Sequence, residues 1–139
     1  MALANQNQAN VIIGAIFAVL LEKWPTDTHL FPENILPPII ENPSSKDVQM
    51  FIGLVRWLRD EGYLRYKSAN MGGGYAMVVL SEKGLRTLNA VPSGIAGTGT
   101  FGEKIVEASK EVSKDASKKI LADLVGQMIG GAIKSLSGF

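Results

Sequence analysis

"LRDEGYLRYKSANMGGGYAMVVLSEKG", Leu58 to Gly84, reads as the end of a helix, a strand, a glycine tip, a second strand and the start of another helix. Gly62 suits the left-handed residue that follows a helix C-terminus. "YLRYK" then alternates, with Tyr63 and Arg65 on one face and Leu64 and Tyr66 on the other, the period of a strand. "YAMVVL" (Tyr75–Leu80) is rich in residues that fit a sheet. "SANMGGG" between the two runs supplies a flexible tip. Ser81 is placed to cap a short helix in "SEKGLRTLNA", Ser81–Ala90.

Upstream, "SSKDVQMFIGLVRWLRDEGY" (Ser44–Tyr63) carries the clearest helical period in the chain. Val48, Phe51, Leu54, Val55 and Leu58 share one face. Ser45 is the expected N-cap, and Asp47 favours the first turn through the helix dipole. "PTDTHLFPENILPPIIENPSS" (Pro25–Ser45) holds five of the six prolines, so short turns and extended linkers are expected there. "FPENIL" suits a single turn with Pro32 near its start. A first helix is expected from about Asn7 or Asn10 to Lys23, stopping before Pro25. It is apolar on nearly every side, which predicts a central position.

Downstream, "VPSGIAGTGTFG" (Val91–Gly102) reads as a linker. The stretch after it reads as one long amphipathic helix, with an apolar stripe that includes Ile120, Leu124, Met128 and Ala132. Gly126 and Gly130 make a G-x-x-x-G pair, and each glycine lowers helix stability by ~1 kcal/mol relative to alanine. They are easiest to understand where backbones approach closely.

The chain has 139 residues, 46% hydrophobic and 19% charged, which suits one globular domain with an appendage. There is no cysteine, which excludes disulfides, thiolate metal sites and cysteine nucleophiles. Residues 1–95 hold eight Lys/Arg and eight Asp/Glu, and residues 96–139 hold six Lys and five acids. Neither part is a strongly basic surface, which counts against tight nonspecific nucleic-acid binding. "VIIGAIFAVLL" (Val11–Leu21) has no basic residue before it and no small-residue cleavage site after it, and it is too short to span a bilayer. A buried helix and a cytoplasmic location are expected.

The run "LVRWLRDEGYLRY…GGGYAMVVLSEKGLRTL" resembles the winged helix-turn-helix regulators of the MarR and PadR kind. The matching residues are Leu58, Gly62, Tyr63, Leu64, Leu80, Ser81, Glu82, Lys83 and Gly84. The resemblance implies an α+β winged-helix domain over residues 8–90. A linker at 91–102 and a C-terminal oligomerisation helix at 103–137 complete the expected organisation. It also implies that the helix at Ser44–Arg59 enters a major groove while the hairpin touches phosphate or the minor groove. Duplex DNA is then the expected partner. Ser45, Lys46, Gln49 and Arg56 face the groove, and Arg65 and Lys67 hold phosphates. Asp47 departs from this pattern, because an acid at that end would face phosphate.

Other chemistries fare less well. "GTGTFG" (Gly97–Gly102) matches G-x-G-x-x-G, but no strand-like run precedes it. His29 is the only histidine and has no cysteine to join it, so neither a metal site nor a catalytic triad is expected. Asp60 and Glu61 are adjacent on a helix and point apart. A non-enzymatic protein without cofactor or metal is therefore expected. Three readings compete for the tail: self-association as a homodimer or higher oligomer through Ile120, Leu124, Gly126, Met128, Gly130 and Ala132; a surface helix on a membrane; or docking to a protein partner. An adaptor that uses the same fold to bind protein is the rival to DNA binding. If the tail is an appendage, deleting residues 103–139 should leave a folded, smaller particle.

Overall fold

The computed structural model of the protein describes residues 4–70, 72–92, 99–111 and 115–137, with side chains described for residues 5–130 within those ranges. The chain opens with α1 (Ala4–Lys23). Asn7 and Asn10 lie inside this helix and do not cap it, because the Ala/Gln-rich start extends it. A three-residue strand, β1 (Thr28–Leu30), and one helical turn, α2 (Pro32–Ile35), follow. Pro32 occupies the first helical position of α2, where its missing N–H costs nothing.

Helix α3 (Ser45–Asp60) is capped by Ser44, one residue before the expected Ser45. Ser44 Oγ accepts the Asp47 N–H at 3.2 Å, and the Asp47 carboxylate accepts the Ser44 N–H at 2.8 Å. This reciprocal box satisfies two donors that the helix leaves unpaired. Phe51, Val55 and Leu58 are fully buried, and Val48 and Leu54 pack against the core, so the expected face points inward.

The hairpin consists of β2 (Leu64–Arg65), β3 (Ser68–Ala69) and β4 (Tyr75–Leu80). Leu64 pairs with Leu80 and Ser68 with Ala76, so β2 and β3 share one antiparallel register along β4. At the tip Asn70 N–H donates to Gly74 O at 2.7 Å, with Gly73 in the left-handed region at φ 91°. β1 lies along the other edge of β4, giving the order β1-β4-β2. Between these two strands β4 bulges at Met77, whose φ is 57°.

Helix α4 (Glu82–Asn89) is capped by Ser81, as the sequence predicts. The junction explains the phrase "EGYL…LSEKG". Gly62 sits at φ 87° after the end of α3, and its carbonyl accepts the Ser81 hydroxyl. Tyr63 O accepts the Ser81 N–H at 3.0 Å, and Glu61 O accepts Lys83 Nζ at 2.7 Å. The start of α4 thereby satisfies carbonyls that the end of α3 and the turn after it leave open.

The long C-terminal stretch is two helices where the sequence suggested one. α5 (Phe101–Ser109) ends in a turn at residues 110–111, and α6 (Asp115–Ser137) follows; residues 112–114 of the expected helix lie outside the described residues. Both helices pack on α1 and on each other. Leu121 meets α1 at Gly14, where an added Cβ would stand 2.5 Å from Leu121 Cδ1. Gly102 meets Leu21 in the same way, at 2.5 Å. Phe101, Ile105, Leu121, Leu124, Val125 and Met128 belong to the same hydrophobic cluster as Ile12, Ile16 and Phe17. The architecture is α+β, with six helices and a small antiparallel sheet among the described residues.

Candidate nucleic-acid interface

The buried stripe of α3 leaves its other face to solvent. Lys46, Gln49, Gly53, Arg56, Trp57 and Asp60 are exposed and lie along one side of the helix. Ser45 is exposed at its N-terminal edge. Gly53 is central to this face, and a Cβ built there would meet nothing within 4 Å. A mid-helix glycine costs ~1 kcal/mol relative to alanine, and no packing contact accounts for it here.

The hairpin is fixed against α3 by its aromatic residues. Tyr75 donates its hydroxyl to Ile52 O at 2.7 Å, and its ring lies 4.6 Å from that of Tyr66. The Arg59 guanidinium sits 4.8 Å above the Tyr66 ring. Gly73 at the tip lies against Ile52, where an added Cβ would be 3.1 Å from Ile52 Cδ1. Burial pushes the Tyr75 hydroxyl above its ordinary pKa, with Tyr66 adding to the rise and Arg56 and Arg59 opposing it. The Tyr63 hydroxyl is raised too, chiefly by burial. Arg65 and Lys67 alternate with Leu64 and Tyr66 and are both exposed.

The expected contact residues Ser45, Lys46, Gln49, Arg56, Arg65 and Lys67 are therefore all exposed, four on α3 and two on the hairpin packed beside it. Among the described residues the ion pair on this surface is Arg59 to Asp60, at 3.0 Å, which leaves Lys46, Arg56, Arg65 and Lys67 outside any salt bridge. Asp47 is committed elsewhere. Its carboxylate accepts from the Ser44 N–H and hydroxyl and from Gln8 Nε2 at 2.6 Å, and the Ser44 backbone bond holds its pKa below the ordinary value. Its negative charge serves the cap of α3. Sequence reasoning missed Gly53, whose signal was a glycine in the middle of an otherwise strong helical period; Trp57, which a sequence reading assigns to the core or a subunit contact, is 39% exposed within this chain.

The residues expected to carry self-association are divided. Leu124 and Met128 are buried against their own chain, so their apolar surface is already used. The reason is α1, which exposes an apolar face that α6 covers. Ile120 is 53% exposed and Gly126 is exposed. Gly130 would admit a Cβ freely, and the side chain of Ala132 lies outside the described residues.

His29 accepts the N–H of the bulged Met77 through Nδ1 at 3.3 Å. Among the described residues no group of three or more His, Asp or Glu side chains is placed to hold a metal ion, and no helix is long and apolar enough to cross a membrane. "GTGTFG" follows α4 and runs into α5, where Thr100 caps the helix and Gly102 packs on Leu21; its residues 97–98 lie outside the described residues. No protein family, curated protein or solved structure matches this chain.

Proposed function

We propose that this chain is a winged helix-turn-helix module that binds duplex DNA, with α3 in the major groove and the hairpin of β2, β3 and β4 on the phosphates. The observation that carries the reading is the open face of α3. It sets Gly53 amid Lys46, Gln49, Arg56 and Trp57, and the hairpin that packs on α3 through Tyr66 and Tyr75 carries Arg65 and Lys67 exposed. An exposed glycine that breaks helix propensity without a packing reason fits a surface that a partner approaches closely. Gln49 and Arg56 carry the amide and guanidinium groups that read base edges, and the lysines suit phosphates. The order of helices and strands and the sheet order β1-β4-β2 support the same reading. Self-association, which a two-fold DNA site would favour, has to use surface other than Leu124 and Met128; among the described residues of α6, Ile120, Gly126 and Gly130 are open to it.

A second reading keeps the fold and replaces DNA by a protein. The neutral balance of residues 1–95 favours it, as does the 39% exposure of Trp57 on the same face. Fluorescence anisotropy of a random duplex separates the two. Four phosphates neutralised by Lys46, Arg56, Arg65 and Lys67 make affinity fall roughly 100-fold between ~50 and ~200 mM salt. Arg65→Ala with Lys67→Ala removes two of these contacts and reduces that fall to about tenfold. No binding at ~50 mM salt removes the DNA reading and leaves the protein partner, and a salt dependence that the double variant leaves intact removes the hairpin from the contact.

A further inference from the structure

We propose that the cavity between the N-terminal turns of α1, residues 39–41 and the first turns of α6 binds a small amphipathic organic anion. The cavity measures about 540 Å³, within the usual range for small-molecule sites. Its floor is apolar, formed by Val11, Ile12, Ile39 and Ile40. Lys118 and Lys119 stand at the rim, with the carboxylates of Glu41 and Asp123. The sign of the ligand follows from burial. Glu41, Asp123 and Lys119 are exposed, and water screens them. Lys118 is partly buried and, among the described residues, has no ion-pair partner, so water screens its charge less than those of the other three. The lining carries two lysines and two acids, so a head with one negative charge suits it better than a multiply charged one.

The same cavity touches the cap of α3. Gln8 lines it, and Gln8 Nε2 donates to Asp47 Oδ1 at 2.6 Å. Asp47 closes the capping box of α3. An occupant that draws the Gln8 amide away therefore acts on the N-terminus of that helix. Only the consequence for DNA rests on the proposed function; the site itself does not.

The test uses the full chain and two dyes that differ in charge, anilinonaphthalene sulfonate and its neutral analogue N-phenylnaphthylamine, titrated by fluorescence. The sulfonate should saturate a single site and bind about tenfold more tightly than the neutral dye. Lys118→Glu with Lys119→Glu should remove that advantage and leave the neutral dye unchanged. Ala122→Trp, which fills the cavity wall, should weaken both. Amide resonances of Ser44 and Asp47 should shift with the sulfonate in the wild type and stay still in Gln8→Leu. Circular dichroism melting confirms that each variant is folded, and the surface lysine variant carries the test if Ala122→Trp is not. Absence of binding, equal affinity for the two dyes, or an advantage that survives the lysine reversal overturns the proposal. DNA binding enters none of these readouts.

Discussion

Replacing Gly84 by alanine sets two physical effects against each other. Gly84 is the third residue of α4, and helix propensity alone makes alanine there more stable by ~1 kcal/mol. The packing says the reverse. A Cβ at Gly84 would lie 2.1 Å from the Tyr63 carbonyl oxygen, which is backbone and cannot rotate away. Relief requires α4 to move by about 1 Å from the turn that follows α3. That movement strains the Ser81 N–H to Tyr63 bond and the Ser81 hydroxyl bond to Gly62. Hydrogen bonds contribute ~1 kcal/mol each, and overpacking costs about 1–3 kcal/mol. After the propensity gain the net loss is about 3 kcal/mol, or roughly 10 °C in melting temperature for a chain of this size. Gly53→Ala is the matched control. It lies in the middle of α3 with nothing within 4 Å of its Cβ, so only the propensity term remains, and melting should rise by about 3 °C. Urea titration of both variants reads the two signs. If Gly84→Ala matches or exceeds the wild type, the close approach between α4 and Tyr63 is absent, and "LSEKG" needs another account.

Two further outcomes follow from the packing and the cap. A fragment ending at residue 92 should lack a cooperative melt and bind apolar dyes, because it loses Phe101, Ile105, Leu121, Leu124, Val125 and Met128 from the core; at ~2 kcal/mol each this approaches the whole stability of a domain. A sharp two-state melt of that fragment would show that α5 and α6 are an appendage after all. Asp47→Ala should cost ~1 kcal/mol at neutral pH, through the lost cap. The pKa of Asp47 is lowered in the folded state, so its contribution is complete above the unfolded value near 4 and fades as pH falls through the folded value. The gap between variant and wild type should therefore close in acid, and a gap that persists unchanged at low pH contradicts the capping box.

Much of the region around the hairpin was legible because each signal there is local. Gly62 ends α3, Ser81 caps α4, and Leu64 and Leu80 pair across the strands; each follows from a residue and its immediate neighbours. The N-cap slipped by one residue because two serines stand together. The spacing from Ser44 to Asp47 was the better signal, since a capping box needs an acceptor three residues after the cap. β1 escaped notice because three residues carry too little alternation to distinguish a strand from a linker. Its partner contact, His29 on the Met77 bulge, joins residues 48 apart in sequence and has no local trace. The cavity is equally non-local, since α1, the 39–41 segment and α6 meet only in the fold.

The tail shows how two sequence readings constrain one another. Seven consecutive residues of α1, Ile12 to Ala18, are buried, and seven residues point in every direction around a helix. A helix covered on one side only, by α3 and a small sheet, would leave half of such a run in water. An apolar-all-round first helix thus demands a second cover, and the apolar stripe of residues 101–128 is the part of the chain with enough surface to supply it. At Gly14 and Gly102 the two surfaces approach closely, each admitting a leucine side chain that a Cβ would displace. Gly14→Ala should consequently disturb the seat of Leu121 and lower stability, whereas in a free-standing α1 it would raise it through helix propensity. Functionally, among the described residues of the tail Ile120 is the large apolar side chain left exposed for a second copy. Oligomer formation, read by analytical ultracentrifugation, should respond to changes at Ile120 and be insensitive to conservative changes at Leu124, such as Leu124→Met, that keep the fold.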